Sequence, residues 1–449
     1  MSDDILDTER YPTLGEAGRR MLAFLREHPA APVYRNHSGN RLLAHEVEAA
    51  RSFEEAVGRA HVGWLPGHTP DWVGSFIAET FRRVPYYRAM GRAPTQLAAL
   101  PTIGRAELAR DVTPFVPDDV DLARLLNFRT TGTTGHPLQV PSHPLVAARY
   151  LAYHKRALRR FGIELRHGAG QVGVMLLGFQ QRCFTYVSVT PTMGESGLAK
   201  LNLHPVDWRH PDDRARYLDA MAPEVISGDP LSFAELLKLP MTWRPRALLS
   251  VSMLLLPGLR NRLEERFGCP VLDLYSLNEV GPVGVFDAGR QGHVLLQPEL
   301  FVEILDRAGQ PVPPDGRGEV TVTGGFNFCL PLLRYRTGDF AELAFDGGEV
   351  VLRGLSGRAP LRYRKADGAW VNNIDVTHAL QALPLAHFAV HQAADGAITL
   401  RLDDNGRQWA PQARAALQAL FGAVQVDIAP LDEEDKVVQY TSALEGAAA

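Results

Sequence analysis

The stretch FRTTGTTGHPLQV, residues 128 to 140, crowds threonines and glycines into one turn. A loop that wraps phosphate oxygens needs glycines, so that backbone N–H groups come close, and hydroxyls that donate without bulk. Thr130, Thr131, Gly132, Thr133, Thr134 and Gly135 supply both. Taken alone, such a turn is as well explained as a plain surface connection. It is not the GxxxxGK[ST] loop of P-loop kinases and ATPases: the spacing differs, no lysine is present, and His136 stands where a cation is expected. Further along, DLYSLNEVGPVG (273 to 284) sets Glu279 just past an expected strand end, where open α/β sheets bind ligands. LLRYRTGDF (332 to 340) sets Asp339 after a tight Thr-Gly turn, LRGLSGRAP (352 to 360) carries Arg358, and EEDKVVQYTS carries Lys436. Taken singly, each has a plainer reading. Glu279 beside Asn278 could be the first-turn acid of a helix, Arg336 and Arg358 surface ion-pair partners, and Lys436 a solvated lysine.

The elements that must position these residues change in character along the chain. GEAGRRMLAFLREH, NRLLAHEVEAARSFEEAVGRAH and PDWVGSFIAETFRRV repeat apolar residues three and four apart, so the first hundred residues are expected to be mostly helical. From about residue 170, QVGVMLLGF, CFTYVSVTP, PEVISGDP, RALLSVSMLLL and PVLDLYSL read as short strands. The helical patterns DDRARYLDAMA and LRNRLEERFG between them give the rhythm of an α/β domain with largely parallel strands. After residue 300, FVEILDRAGQPVP, GEVTVTGG and GEVVLRGL alternate around Gly, Asp and Pro, which predicts an antiparallel subdomain. From about 357 the pattern is strand, helix, two strands (AHFAVHQ and AITLRLDD), helix (PQARAALQALF) and strand (VQVDIAP), a split βαβ arrangement.

Composition sets the outer bounds. At 449 residues, 45% hydrophobic and 22% charged, the chain can build two or three domains with real cores. A formal charge of −4 offers no field for steering onto nucleic acid or an anionic membrane, so neither is an expected partner. VGVMLLGF and LLSVSMLLL fall short of the roughly 20 residues of a spanning helix, and MSDDILDTER is acidic where a signal peptide would be basic; the expected location is the cytoplasm. Cys183, Cys269 and Cys329 are too scattered for a disulfide framework and read as buried thiols. His204 and His210 have no third ligand at a zinc spacing. Phe179, Phe184 and Tyr186 read first as core aromatics.

In their order along the chain, these motifs resemble the core motifs of the adenylate-forming ligases, in the branch typified by phenylacetate-CoA ligase. That branch carries a Ser/Thr/Gly phosphate loop, a Tyr-Gly-x-Thr/Ser-Glu element, Tyr-Arg-Thr-Gly-Asp, Gly-Arg and a C-terminal lysine. RRVPYYRAMGRAPTQLAALPTIGRAELARD (82 to 111) is similar to its helical lead-in, so the likeness runs from about residue 80 to about 440. The resemblance implies an α/β fold with a large adenylation domain, residues 1–356, of mixed parallel sheets and an antiparallel subdomain, and a small mobile α+β lid, residues 357–449.

The resemblance also implies site roles. Thr130 to Gly135 would hold the β- and γ-phosphates of ATP, Glu279 would ligate Mg²⁺, and Asp339 and Arg358 would bind the ribose. Tyr275, Ser276 and Ser252, the last on the strand end Leu249 to Met253, would flank the adenine. Phe179, Gly228 and Asn278 would meet the acid substrate, and Lys436 would bridge the attacking carboxylate and the α-phosphate. The implied function is ATP-dependent activation of a small carboxylic acid, an aromatic one, as its acyl-adenylate, with transfer to coenzyme A or to the phosphopantetheine thiol of an acyl carrier protein. An amine acceptor, or a degenerate scaffold that binds without turnover, are the alternatives. The chain departs from the pattern at His136, Ser276, Asn278, Ala359, Pro360 and Gln439, and SVSM replaces a glycine-glutamate pair. Ala359, Pro360 and Gln439 fall at the hinge and in the C-terminal domain, and none of the departures removes a group that adenylation requires.

Overall fold

Alternating strands after residue 280 and amphipathic helices before residue 165 need each other's apolar faces, and they form one of two contact units of the chain: Met1–Leu14, Gly39–Leu165 and Leu274–Arg358. The computed structural model describes residues 8–129, 138–180, 182–313, 316–357, 361–431, 438–444 and 447. The expected phosphate loop, Thr130 to Gly135, together with Arg358 and Lys436, lies outside the described residues.

In this unit the strands run in the order Leu300–Leu305, Arg317–Gly324, Leu332–Asp346, Glu349–Gly357, Gly292–Leu295 and Gly281–Asp287, each antiparallel to its neighbour. The last pairs with residues 274 to 277 of Val271–Leu277. The expected antiparallel subdomain is therefore present, and it begins earlier than residue 300. Val320, Val322, Leu332 and Tyr335 sit in a core shared with Val73, Ile77 and Phe81 of the helix Trp72–Arg83. The helices Ala44–Arg59 and Pro144–Arg160 pack together, the second with a proline in its first turn and His143 Nδ1 accepting from the Leu145 N–H at 3.2 Å. A short strand, Ile103–Gly104, runs parallel to Leu332–Asp346 opposite Tyr335 and Arg336. Beside it, the Leu333 N–H donates to the hydroxyl of Tyr87 at 3.0 Å, both groups being buried.

The other unit comprises Gly15–Ser38, Arg166–Asp273 and Ala359–Ala449. Ser196–Asn202, Val172–Gly178, Val225–Gly228, Ala247–Ser250 and the start of Val271–Leu277 are parallel, with Tyr186–Thr190 as an antiparallel edge. Their near-continuous apolar runs suit strands covered on both faces. Asp213–Met221, Pro230–Leu236 and Pro257–Phe267 make the crossings. Within 359–449 a four-stranded sheet runs Val426–Pro430, Ile398–Leu402, Phe388–Gln392 and Tyr440–Ser442, with helices Asn373–Leu380 and Ala410–Phe421. Val376, Leu380, Phe388, Leu400, Leu417 and Phe421 are among its core residues. The sequence pattern had no place for Tyr440–Ser442, three residues with no apolar alternation that pair in parallel with Phe388–Gln392. Among the described residues no helix is long and apolar enough to cross a membrane. Cys269 and Cys329 are buried thiols, pushed up to about 12 by burial, and Cys183 is partly exposed.

Replacing Tyr87 by Phe would leave the buried Leu333 N–H without its acceptor. The expected loss is about 1–3 kcal/mol of unfolding free energy, measured by urea denaturation; an unchanged midpoint would show that this strand does not depend on the bond.

Candidate active site

The chain reverses between Leu277 and Gly281, which face each other across the pair Val271–Leu277 and Gly281–Asp287. Asn278, Glu279 and Val280 make the turn. It closes because Gly281 takes φ +76°, and a Cβ there would stand 2.5 Å from the Phe326 ring. Gln297 clamps the turn from below, its Nε2 donating to the carbonyls of Val280 at 2.7 Å and Pro282 at 2.8 Å. Glu279 is thus on a β-turn, and the reading of it as a helix first-turn acid is corrected. Its side chain is buried. The Tyr335 hydroxyl donates to Glu279 Oε1 at 2.8 Å, and Nη1 of Arg105 lies 3.7 Å from the same oxygen.

Asp339 stands on a second irregularity. The register between Arg317–Gly324 and Leu332–Asp346 shifts between Glu319 and Thr321, so Thr337 and Gly338 form a bulge inside the continuous strand, which corrects the expected tight turn before Asp339. Gly338 adopts φ +82° and its N–H donates to Glu319 Oε1 at 3.0 Å. Thr337 Oγ1 donates to the Val320 carbonyl at 2.8 Å and accepts from the Asp339 N–H at 3.1 Å. Arg336 Nε donates to Glu319 Oε2 at 2.7 Å, so this arginine is an ion-pair partner that shapes the bulge. The Tyr275 hydroxyl donates to Asp339 Oδ2 at 2.8 Å. Asp339 Oδ1 borders Gly357, where a Cβ would be 3.4 Å away.

Electrostatics follow from the crowding of acids. Burial, then the charges of Glu279 and Glu319, push the Asp339 carboxyl up to about 6, against the opposing pull of its bond from Tyr275. Burial and the neighbouring carboxylates hold the hydroxyls of Tyr275 and Tyr335 well above their ordinary range, so both remain donors.

The structure therefore brings together Tyr275, Glu279 and Asp339. Ser276 is half-buried opposite Pro282, and Asn278 is exposed, with its carbonyl accepting from the Tyr150 hydroxyl at 3.4 Å. Phe179, Gly228 and Ser252 belong to the other unit. Phe179 follows Val172–Gly178 and its ring lies 5.6 Å from that of His204. Gly228 ends Val225–Gly228, where a Cβ would press on Leu177 at 3.3 Å. Ser252 is exposed at φ +71°, past the end of Ala247–Ser250 rather than on it. Phe184 is 52% exposed, which corrects its reading as a core aromatic. Two participants had no sequence assignment. Tyr335 was visible only as the first letter of YRTGD, and Arg105 in LPTIGRAEL carries no local signal. A separate cavity of about 420 Å³ within the same unit is lined by Phe53, Arg149, Tyr153, Gln297, Phe326 and Asn327, and none of the expected site residues lines it.

No protein-family model matches the chain. The phenylacetate-coenzyme A ligase of Thermus thermophilus is 26% identical over 301 residues, 60% of this chain and 64% of that protein. The phenylacetate-coenzyme A ligase of Pseudomonas putida is 35% identical over 89 residues, 19% of this chain and 20% of that one. The match thus spans less than two thirds of either relative's length. Among solved structures, 2-hydroxyisobutyryl-CoA ligase in the postadenylation state, in complex with R3-HIB-AMP, superposes with a TM-score of 0.58 at 16% identity over 88% of this chain and 89% of that chain. The chain has the fold of the adenylate-forming ligases. Its sequence is similar to phenylacetate-coenzyme A ligases in particular, the branch that the motif order resembles. The YSLNE motif is a turn and the YRTGD motif a bulged strand segment of one antiparallel lattice, and each carries an acid.

A carboxyl raised by folding contributes stability that is present below its unfolded value, near 4, and lost as pH rises through about 6. Asp339→Asn removes that loss. Relative to wild type, its melting temperature should rise by roughly 6–12 °C at pH 8, about 3 kcal/mol for a carboxyl raised from near 4 to about 6, with little gain at pH 4. Equal differences at both pH values in calorimetric scans would refute a raised carboxyl.

Proposed function

We propose that this chain is an ATP- and Mg²⁺-dependent ligase that activates a carboxylic acid as its acyl-adenylate and passes the acyl group to coenzyme A. The observation that carries this reading is the pair of buried acids, Glu279 and Asp339, held by tyrosines in one lattice on an adenylate-forming fold. An aryl or arylacetic acid is the proposed substrate, supported by the names of the Thermus and Pseudomonas relatives.

In the first half-reaction a carboxylate oxygen attacks the α-phosphorus, the bond from that phosphorus to the bridging oxygen breaks, and pyrophosphate leaves with the electron pair. In the second, the thiol sulfur attacks the acyl carbon, the bond to AMP breaks, and the thiol proton is lost. Negative charge builds on the phosphates in the first step, so donors and cations must converge there. Thr130 to Gly135 would grip the β- and γ-phosphates. An acceptor-only carboxylate suits ribose hydroxyls. Asp339 would take them, Oδ2 being fixed by Tyr275, with Arg358 on the same region. Tyr275, Ser252 and Ser276 would border the base, and Phe179, Gly228 and Asn278 the acid. Lys436, a compact ammonium on a long stem, would bridge the carboxylate and the α-phosphate as residues 357–449 close as a lid.

Glu279 fits a magnesium ion: it is a hard oxygen donor with Oε1 already fixed, and Mg²⁺ binds through one or two carboxylates together with substrate phosphates. When bound, the ion would neutralise charge on the departing pyrophosphate. Arg105, close to the same carboxylate, adds positive charge there.

ATP–pyrophosphate exchange across a panel of aryl and short acyl acids tests the proposal. Exchange with one acid should fall roughly 10²–10³-fold in Glu279→Ala, and its rate should drop as pH is lowered through about 6, where Asp339 gains a proton. Product analysis with coenzyme A should then yield the thioester. Wild-type exchange in both Glu279→Ala and Asp339→Ala would make the assignment wrong.

A further inference from the structure

Two tyrosines and two acids repeat one spacing in two places: Tyr275 stands four residues before Glu279, and Tyr335 four before Asp339. Neither tyrosine serves the acid of its own segment. The hydroxyl of Tyr275 reaches Asp339 and that of Tyr335 reaches Glu279, each at 2.8 Å, so the turn and the bulge are tied by a crossed pair of bonds. Both rings belong to one buried core, and the backbone beneath Tyr335 is pinned twice, by the Ile103–Gly104 strand and by the Leu333 bond to Tyr87. The Tyr335 hydroxyl donates to Oε1 of Glu279, the oxygen that Nη1 of Arg105 approaches at 3.7 Å. A bond on one oxygen fixes the carboxylate plane and the direction in which the other faces, as outer partners of metal-binding carboxylates do.

Resting on the function proposed above, we infer that Tyr335 is a positioning residue that sets Glu279 for the divalent cation of the metal–nucleotide, and that Tyr275 does the same for Asp339 toward the ribose. The pairing divides the labour. The hydroxyl in the ribose-binding motif governs the metal, and the one in the metal-binding motif governs the nucleoside. Without the Tyr335 hydroxyl, the carboxylate is free to swing into direct contact with Arg105, whose guanidinium then competes with the cation for it.

The test is a crossed one on the full-length chain. ATP binding is followed by calorimetry in EDTA and over a series of Mg²⁺ concentrations, for wild type, Tyr335→Phe and Tyr275→Phe, with pyrophosphate exchange alongside. Tyr335→Phe should raise the half-saturating Mg²⁺ concentration about 10-fold or more while leaving metal-free ATP affinity within about 2-fold of wild type. Tyr275→Phe should weaken metal-free ATP about 10-fold and leave the Mg²⁺ dependence alone. Variants that lose melting temperature with both dependences unmoved, or that move both together, overturn the division of labour and leave the tyrosines as core residues. If Tyr335→Phe does not fold, Glu279→Asp, which keeps the charge but withdraws it from the hydroxyl, must show the same rise in Mg²⁺ requirement; an unmoved requirement overturns the inference. A wild-type chain that neither binds ATP nor exchanges pyrophosphate brings down the proposed function and the brace with it, whereas normal wild-type behaviour with an unmoved Tyr335→Phe removes the brace alone.

Discussion

Two carboxylates of the same sign are held, half-buried or buried, on a turn and on a strand bulge of one antiparallel lattice, and the groups around them make that tolerable. Burial without partners would simply protonate such groups. Each instead receives a tyrosine hydroxyl, Glu279 has the Arg105 guanidinium near it, and Glu319, a third acid close by, is taken up by Arg336 and the Gly338 N–H. The donors are themselves fixed by the core, so the carboxylates inherit the rigidity of strands although one sits on a turn and the other on a bulge. Burial and the neighbouring acids still push the Asp339 carboxyl up to about 6.

The other unit solves a different problem. Its parallel strands are apolar on both faces, and their carboxyl ends carry a ring, a glycine and an exposed serine, Phe179, Gly228 and Ser252, rather than charges. The packing of Gly228 on Leu177 shows how little room a side chain would find there.

Much of the architecture was legible in the sequence because period and punctuation were strong. The strands from Val172–Gly178 to Val271–Leu277 and the helices of the first hundred residues follow directly from apolar runs and three-four spacing. Tyr440–Ser442 was not, because a three-residue strand has no period to read and exists only through its pairing with Phe388–Gln392. In the site, the acids were legible as types: carboxylates after strand ends or glycine turns. Their partners were not. Tyr335 reaches Glu279 across a separation of 56 residues and Arg105 reaches it from a different segment, and such contacts are set by register, which no local spacing encodes. Phe184 was misread for the reverse reason: an aromatic beside an apolar run looks like core, but it lies two residues before the edge strand Tyr186–Thr190 and is exposed.

The two glycines that make the turn and the bulge are required for unlike reasons. At Gly281 a side chain of natural hand would collide with Phe326, so volume forbids it as well as torsion. At Gly338 nothing stands within 4 Å of where a Cβ would be, and only the positive φ resists replacement. The YRTGD bulge is therefore a chiral filter rather than a steric one: position 338 would receive a D-amino acid with little strain, and among natural residues asparagine or aspartate more readily than any β-branched side chain.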